Sequence, residues 1–145
     1  MDETQRMGIE AACRRLVLQA AAFADAHRPA ELAALFSADA VLVRPNAAPL
    51  HGPEAIHEAY TNRAPERISR HLVTGTLVEV LSADEAHAKS TVLLWLGSTD
   101  DPAGPKGRPV REQVLGEFDD RFVRTAAGWR IARRDARFVL HTRAD

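Results

Sequence analysis

The sequence has a single cysteine, Cys13, so it cannot form a disulfide within the chain. The formal net charge is −1 and the isoelectric point about 6.6, which leaves no basic field to attract nucleic acid or anionic lipid. No apolar run approaches the roughly 20 residues of a membrane-spanning helix, and residues 1–10 lack the apolar core of a signal peptide. We therefore expect a soluble, cytoplasmic protein that binds neither nucleic acid nor membrane.

Several chemical motifs are also missing. The phosphate cradles G-x-G-x-x-G and G-x-x-x-x-G-K-[ST] are absent, as are C-x-x-C, H-E-x-x-H, calcium-loop and G-x-S-x-G patterns. His51 and His57 are six residues apart, which is not the spacing of zinc ligands on one helical face. The expected functional site is therefore a small-molecule site with no cofactor and no metal.

The composition is that of one ordinary globular domain. Of the 145 residues, 46% are hydrophobic and 27% are charged. A domain of this length buries about two-thirds of the surface that its unfolded chain exposes, so it needs no metal or disulfide to fold. We expect a single domain over residues 1–145.

Helical patterns fill the first part of the chain. Apolar residues recur at spacings of three and four over residues 3–26, which predicts a long amphipathic helix. Pro29 disfavours helical geometry at Arg28 and fits the first turn of a second helix, over residues 29–36. A third helix is predicted over residues 53–62.

Extended patterns fill the rest. A short strand is predicted over residues 40–43, and long strands follow that are rich in β-branched, aromatic and leucine residues. These long strands are predicted over residues 69–81, 85–97, 110–124 and 128–142. The proline- and glycine-rich segment 98–109 predicts a mobile loop between two of them.

Helices that precede an antiparallel meander define an α+β fold rather than alternating βαβ units. Strands of more than ten residues usually bend, and Gly75, Gly97 and Gly116 are candidate bend points. The predicted architecture is a cone-shaped, strongly bent, mostly antiparallel sheet. The N-terminal helices pack on its concave side and enclose a pocket.

Several segments, in order along the chain, resemble the SnoaL-like family of the nuclear transport factor two-like superfamily. They are ALFSADAV at 34–41, LHGPEAI at 50–56, RHLVT at 70–74, and the closing hairpin FDDRFVR and GWRIARR within 118–134. The resemblance implies the same α+β cone. It does not select a reaction, because the superfamily includes cyclases, isomerases, dehydratases, hydrolases and non-catalytic proteins.

The resemblance also suggests an aspartate–histidine pair. Some members, such as scytalone dehydratase and hexachlorocyclohexane dehydrochlorinase, have an aspartate at the end of the first helix and a histidine on the first long strand. Asp25 and His71 occupy the matching positions, and Arg134 matches an arginine of the dehydrochlorinase. The match is incomplete, because Ala20 stands where bile-acid dehydratase has a tyrosine, and the second pocket histidine of scytalone dehydratase has no counterpart.

These residues have a coherent chemistry. Neutral imidazole suits proton abstraction near pH 7, and a carboxylate on its other nitrogen fixes the tautomer and stabilises the imidazolium. His71 would be the base, Asp25 its orienting partner, and Arg134 the group that stabilises negative charge on the substrate. The predicted substrate-binding wall is apolar and consists of Phe23, Val43, Val73, Trp95, Phe118 and Phe138.

Plainer interpretations remain open for the same residues. Asp25 can cap a helix or sit in a turn, and His71 can be an ordinary core or surface histidine. Arg134 lies in the charged run 133–137, which is typical of a solvated or interface segment. Arg44 and Asn46, after the first strand, could reach the mouth of a pocket.

Two functions are therefore compatible with the sequence. One is a cofactor-independent lyase or isomerase that acts on a small, largely apolar, cyclic or polyketide-like molecule. The other is a non-catalytic ligand carrier or dimeric interaction module of the same fold. A homodimer is expected in either case, through apolar residues assigned to the outer sheet face: Leu115, Phe122, Val123, Ile131 and Val139.

Overall fold

A computed structural model of the chain describes residues 1–143. Helices come first and long strands follow, as the sequence pattern predicts. The helices are α1 (Glu3–Asp25), α2 (Pro29–Ala33) and α3 (Gly52–Thr61). The strands are β1 (Phe36–Val43), β2 (Leu50–His51), β3 (Arg67–Val80), β4 (Glu85–Ser98), β5 (Glu112–Thr125) and β6 (Gly128–Arg143).

The strands form one curved sheet in the order β2-β1-β6-β5-β4-β3. Neighbouring strands β3 to β6 pair antiparallel as a meander, whereas β1 pairs parallel to β6. The sheet is thus mixed and unclosed, and the helices cover its concave side. The predicted α+β cone with a pocket is confirmed.

The boundary between α2 and β1 differs from the prediction. The helix ends at Ala33 rather than at Phe36, and β1 already begins at Phe36. The reason is tertiary, because the backbone N–H of Ile131 donates to the carbonyl of Leu35 at 2.9 Å and Phe36 pairs with Ile131. Pairing with the last strand outweighs the local helical pattern.

Helix α1 has well-defined signals at both ends. Asp2 and Gln5 form a reciprocal capping box at its start. At its end His27 adopts a left-handed φ of 54°, and the N–H groups of His27 and Arg28 donate back to the carbonyls of Ala24 and Phe23. This is a Schellman ending with histidine in the position that usually holds glycine.

Register shifts bend the long strands. One lies between Val73 and Gly75 in β3, where Thr74 is the extra residue. Another lies opposite Leu115 and Gly116 of β5, where Val139 of β6 is the extra residue. The register runs regularly through Gly97, so this third candidate bend point is not a bulge. A further shift occurs at Arg121 and Phe122, where the sequence has no glycine.

The two faces of the sheet differ from the prediction in one respect. Phe122 and Ile131 were expected on the outer face, but both are 0% exposed and lie in the core on the concave side. A row of leucines crosses the outer face instead, because Leu72, Leu93, Leu115 and Leu140 are successive partners across β3, β4, β5 and β6. None of the helices in residues 1–143 has the length and apolarity to cross a membrane.

Candidate active site

A cavity of about 110 Å³ lies between the concave face of the sheet and the helices. Its apolar wall includes Ala20, Leu32, Leu42, Val92, Leu94 and Val114, and its polar wall includes Arg44, Tyr60, Arg63, Arg67, His71 and Arg134. An enclosed apolar cavity of ~150 Å³ holds a benzene ring. The present cavity is smaller but partly open, so its ligand has at most about one ring.

Asp25 and His71 meet at this cavity. The ring Nδ1 of His71 lies 2.5 Å from Oδ1 of Asp25, and the backbone N–H of His71 donates to Oδ2 at 2.8 Å. The hydroxyl of Ser69 donates to Oδ1 at 2.8 Å. The two side chains are only 14% and 15% exposed, and His71 lines the cavity. The sequence-predicted pair is therefore brought together.

These bonds define the charge of the pair. Burial by itself would raise the pKa of Asp25, but the hydrogen bonds from the His71 ring, the His71 backbone and Ser69 outweigh it and lower that pKa. Asp25 is therefore an ionised acceptor at neutral pH, and a neutral His71 ring must carry its proton on Nδ1. Within residues 1–143 no hydrogen bond uses Nε2 of His71, so its lone pair is available to a ligand.

The ending of α1 places Asp25 against β3. The turn after the helix brings His27 over the start of that strand, where its Nε2 lies 2.8 Å from the carbonyl oxygen of Arg67. Ser69 and His71 follow on the same strand two residues apart, so both face inward towards Asp25. The carboxylate is thus held by one strand and by the end of one helix.

Arg134 is buried rather than solvated. Its Nε and Nη2 donate to the two oxygens of Asp120 at 2.7 and 2.9 Å, and the two side chains are 7% and 0% exposed. Its guanidinium carbon lies 4.0 Å from the ring centroid of Phe118. Arg134 lines the cavity, and its charge is paired with Asp120.

Of the predicted wall residues, Phe118 and Phe138 line the cavity. Val43 and Trp95 do not, because they lie next in sequence to the inward-facing Leu42 and Leu94 and so point to the other face of the sheet. Trp95 is 38% exposed there. The assignment of these two residues to the wall is corrected by strand alternation.

Phe23 and Val73 also lie outside the cavity wall. Both pack against the hydrophobic core, and Phe23 borders a small separate pocket beside Arg28. The segment 98–109 supplies no residue to the cavity wall either. Its turn is held by Asp101, which accepts two hydrogen bonds from the side chain of Arg111 at 2.7 and 3.0 Å.

Several site residues were not predicted. Ser69 and Asp120 were overlooked although strand alternation places them on the inward face with His71 and Phe118. Arg63, Arg67 and Tyr60 were assigned no site role, and no local pattern links them. Within residues 1–143 no three histidine, cysteine, aspartate or glutamate side chains converge as metal ligands would.

The α+β cone and its pocket are those of the nuclear transport factor two-like structural class. The profile of the SnoaL-like domain family matches residues 5–135, nearly the whole chain, and the protein belongs to this family. No curated protein sequence is similar enough to match.

Solved structures share the fold at low sequence identity. A candidate scytalone dehydratase of Novosphingobium aromaticivorans is 22% identical, with a TM-score of 0.83 over 99% of this chain and 93% of its own. The hexachlorocyclohexane dehydrochlorinase LinA type 2 is 18% identical, with a TM-score of 0.85 over 99% and 94%. A candidate calcium/calmodulin-dependent protein kinase II association domain of Xanthomonas campestris is 15% identical, with a TM-score of 0.70 over 88% and 85%.

Proposed function

We propose that the protein is a cofactor-independent lyase or isomerase that removes a proton from a small, largely apolar molecule of about one ring. The observation that carries the proposal is the Asp25–His71 pair at the cavity wall, with Nε2 of His71 uncommitted. A base in this arrangement needs no metal and no cofactor to act near neutral pH.

The proposed step begins when Nε2 of His71 takes a proton from a carbon of the substrate. The C–H electron pair forms a double bond, and a leaving group on the adjacent carbon departs with its own electron pair. In an isomerisation the proton returns from Nε2 to another carbon instead. Asp25 stabilises the imidazolium by its negative charge and by the bond to Nδ1.

Arg134 has a more limited role in this proposal than the resemblance implies. Because Asp120 already compensates its charge, Arg134 offers the developing anion a weaker field than a free guanidinium would. Its Nη1 takes part in no hydrogen bond among residues 1–143 and is the group proposed to face the substrate. Phe118 fixes the plane of the guanidinium from one side.

Two of the solved structures with the same fold have the names of elimination enzymes. One is a candidate dehydratase and the other is a dehydrochlorinase. Loss of water and loss of hydrogen chloride both begin with the removal of a proton next to the carbon that bears the leaving group. The buried pair in the present chain supports a reaction of this type.

The test is a panel of small cyclic compounds with a leaving group β to an acidic C–H, together with unconjugated cyclic enones. Proton NMR in D₂O would follow alkene formation and loss of the C–H signal. We expect turnover of at least one compound and a loss of 10²-fold or more in His71→Asn. Turnover that is unchanged in His71→Asn would rule out His71 as the base. No turnover with any compound would favour the ligand carrier instead.

We also propose that the protein is a homodimer formed through the outer sheet face. Leu72 and Leu140, at the two ends of the leucine row, are 48% and 65% exposed. Trp95 is exposed on the same face, next but one to Leu93. A contiguous apolar row of this kind is typical of a surface covered by a partner, and twofold dimers are the commonest oligomers.

A further inference from the structure

The cavity wall contains arginines that the proposed proton transfer does not use. Arg44 follows β1, Arg63 follows α3, and Arg67 begins β3, so three separate elements bring them to one cavity. Nε of Arg44 and Nε of Arg67 are buried and have no hydrogen-bond partner among residues 1–143. A buried donor without an acceptor is costly, which indicates that a ligand supplies the acceptor.

The charge of this region is not balanced by the protein. Among residues 1–143, no aspartate or glutamate lines the cavity. Asp25 accepts hydrogen bonds from His71 and Ser69, and Asp120 accepts them from Arg134. Glu117 pairs with Arg137, a further arginine of the wall. Within residues 1–143 no salt bridge involves Arg44, Arg63 or Arg67. Three positive charges without a salt-bridge partner among residues 1–143 therefore face a partly open cavity.

Tyr60 contacts two of these arginines through the face of its ring, which leaves their N–H groups free to donate hydrogen bonds. The guanidinium carbon of Arg63 lies 4.1 Å from the centroid of the Tyr60 ring, and that of Arg44 lies 5.9 Å from it. A cation–π contact uses the face of the guanidinium and leaves its N–H groups free. The donors are thus positioned before a ligand arrives.

The electrostatics of Arg67 agree with this geometry. Burial, and after it the charge of Arg63, lower the pKa of Arg67, while Tyr60, Asp25 and Glu112 act in the opposite direction with smaller effects. The protein therefore holds the guanidinium of Arg67 in an environment that disfavours its charge. An anion in the cavity would relieve both the desolvation and the repulsion.

We propose that the cavity binds a carboxylate-bearing single-ring molecule, with Arg44, Arg63 and Arg67 as the carboxylate site. A planar carboxylate matches the forked N–H groups of arginine, and a cavity of about 110 Å³ holds one ring beside it. This inference names the substrate class of the proposed function and rests on it for the reaction, but not for binding. The anchored carboxylate would orient the ring towards His71.

The test compares benzoate with benzamide, which has nearly the same shape and no charge. Binding to the full chain is measured by ¹H–¹⁵N NMR titration, with Arg67→Gln and Arg44→Gln beside the wild type. We expect benzoate to bind at least tenfold more tightly than benzamide, and each variant to lose at least tenfold in benzoate affinity. Arg15→Gln, an exposed arginine on α1, is the control and should bind benzoate as the wild type does.

The comparison within the wild type does not depend on how well the variants fold. Equal affinity for benzoate and benzamide would overturn the carboxylate site, as would benzoate binding that neither cavity variant weakens. Selective benzoate binding without turnover of any compound in the panel would leave the carboxylate site standing and remove the proposed reaction. Turnover of uncharged compounds alone, lost in His71→Asn and with no preference for benzoate over benzamide, would support the proposed reaction. It would overturn the carboxylate site.

Discussion

Two arginine–aspartate pairs on β6 and its neighbour share a forked geometry but differ in burial. Arg134–Asp120 is almost fully buried, whereas Arg133–Asp135, with bonds of 2.8 and 3.1 Å, is exposed. We expect Asp120→Asn to lower the free energy of unfolding by about 3–5 kcal/mol, because it leaves a buried charge uncompensated. Urea unfolding at pH 7 would measure this difference.

Asp135→Asn is the matched control for Asp120→Asn. It removes the same carboxylate chemistry from a solvated pair, so we expect a free energy of unfolding close to that of the wild type. Equal effects of the two substitutions would show that Asp120 is not held as a buried ion. Arg134 would then not be a fixed part of the cavity wall.

Cys13 provides a prediction for alkaline pH. Burial, and after it the charge of Asp120, raise the pKa of its thiol to about 12, although Arg14 acts in the opposite direction. The unfolded chain releases this proton near pH 8.5, so it binds fewer protons than the folded chain above that pH. The stability contribution is complete below pH 8.5 and is lost as the pH rises towards 12.

We therefore expect the Cys13 thiol to lower the free energy of unfolding by about 2 kcal/mol as the pH rises from about 8 to about 10. In Cys13→Ala this part of the pH dependence should be missing, although the variant is less stable at pH 7 because a buried group is lost. Urea unfolding of both proteins over this pH range would measure it. Parallel curves for the two proteins would contradict the assignment.

At the residue scale, the sequence was informative where one strand or one helix determines the outcome. Alternation with Phe118, which was assigned to the pocket wall, places Asp120 and Phe122 on the same inward face, although neither residue was predicted to lie there. The cluster of Arg44, Arg63 and Arg67 could not be predicted in this way, because three elements far apart in sequence contribute to it. The left-handed His27 has no local signal either.

At the element scale, Gly116 of β5 lies opposite the bulge in β6 and has little space for a side chain. A Cβ at this position would lie 3.0 Å from the backbone carbonyl oxygen of Arg137, whereas at Gly75 nothing lies within 4 Å. We expect Gly116→Ala to destabilise the protein by about 1–3 kcal/mol and Gly75→Ala to leave it unchanged or slightly more stable. Thermal unfolding would compare the two variants.

These two glycines adjoin register shifts in different strands, so each substitution is a control for the other. If Gly75→Ala were the more damaging change, the bend of β3 would depend on backbone freedom rather than on space. If neither change mattered, β5 would relax around the added methyl group, and the close approach to Arg137 would not constrain the sheet.

The long elements were predictable because the helical spacing of apolar residues in α1 and the strand-forming composition of the long strands extend over many residues. Helix α1 and the four long strands lie within three residues of their predicted boundaries. Three short elements were not predicted correctly, since α2 ends three residues early, β1 begins four residues early and β2 was not predicted. The parallel pairing of β1 with β6 joins strands that are about 90 residues apart in sequence, and no local periodicity can reveal it.

At the scale of the whole molecule, the leucine row predicts a homodimer. We expect light scattering at micromolar concentration to give twice the chain mass, and Leu140→Glu to give a monomer, because a charge in an apolar interface is costly. Leu18→Glu, on the outer surface of α1 and 57% exposed, is the control and should remain dimeric. A monomeric wild type would rule out this interface.

The central claim is that Asp25 holds His71 as a base with its free nitrogen towards the cavity. Long-range ¹H–¹⁵N NMR of the neutral His71 ring tests it most directly, because it reports which nitrogen carries the proton. In Asp25→Asn the amide oxygen must face the backbone N–H of His71, so the amide NH₂ faces Nδ1. The proton would then move to the other nitrogen.

We expect the wild type to have Nδ1 protonated and Nε2 free, and Asp25→Asn to have Nε2 protonated. His71→Asn, which lacks the signal, assigns the spectrum. A wild type with Nε2 protonated would contradict the proposed base and with it the proposed reaction. Nδ1 protonated in both proteins would contradict the claim that Asp25 sets the tautomer.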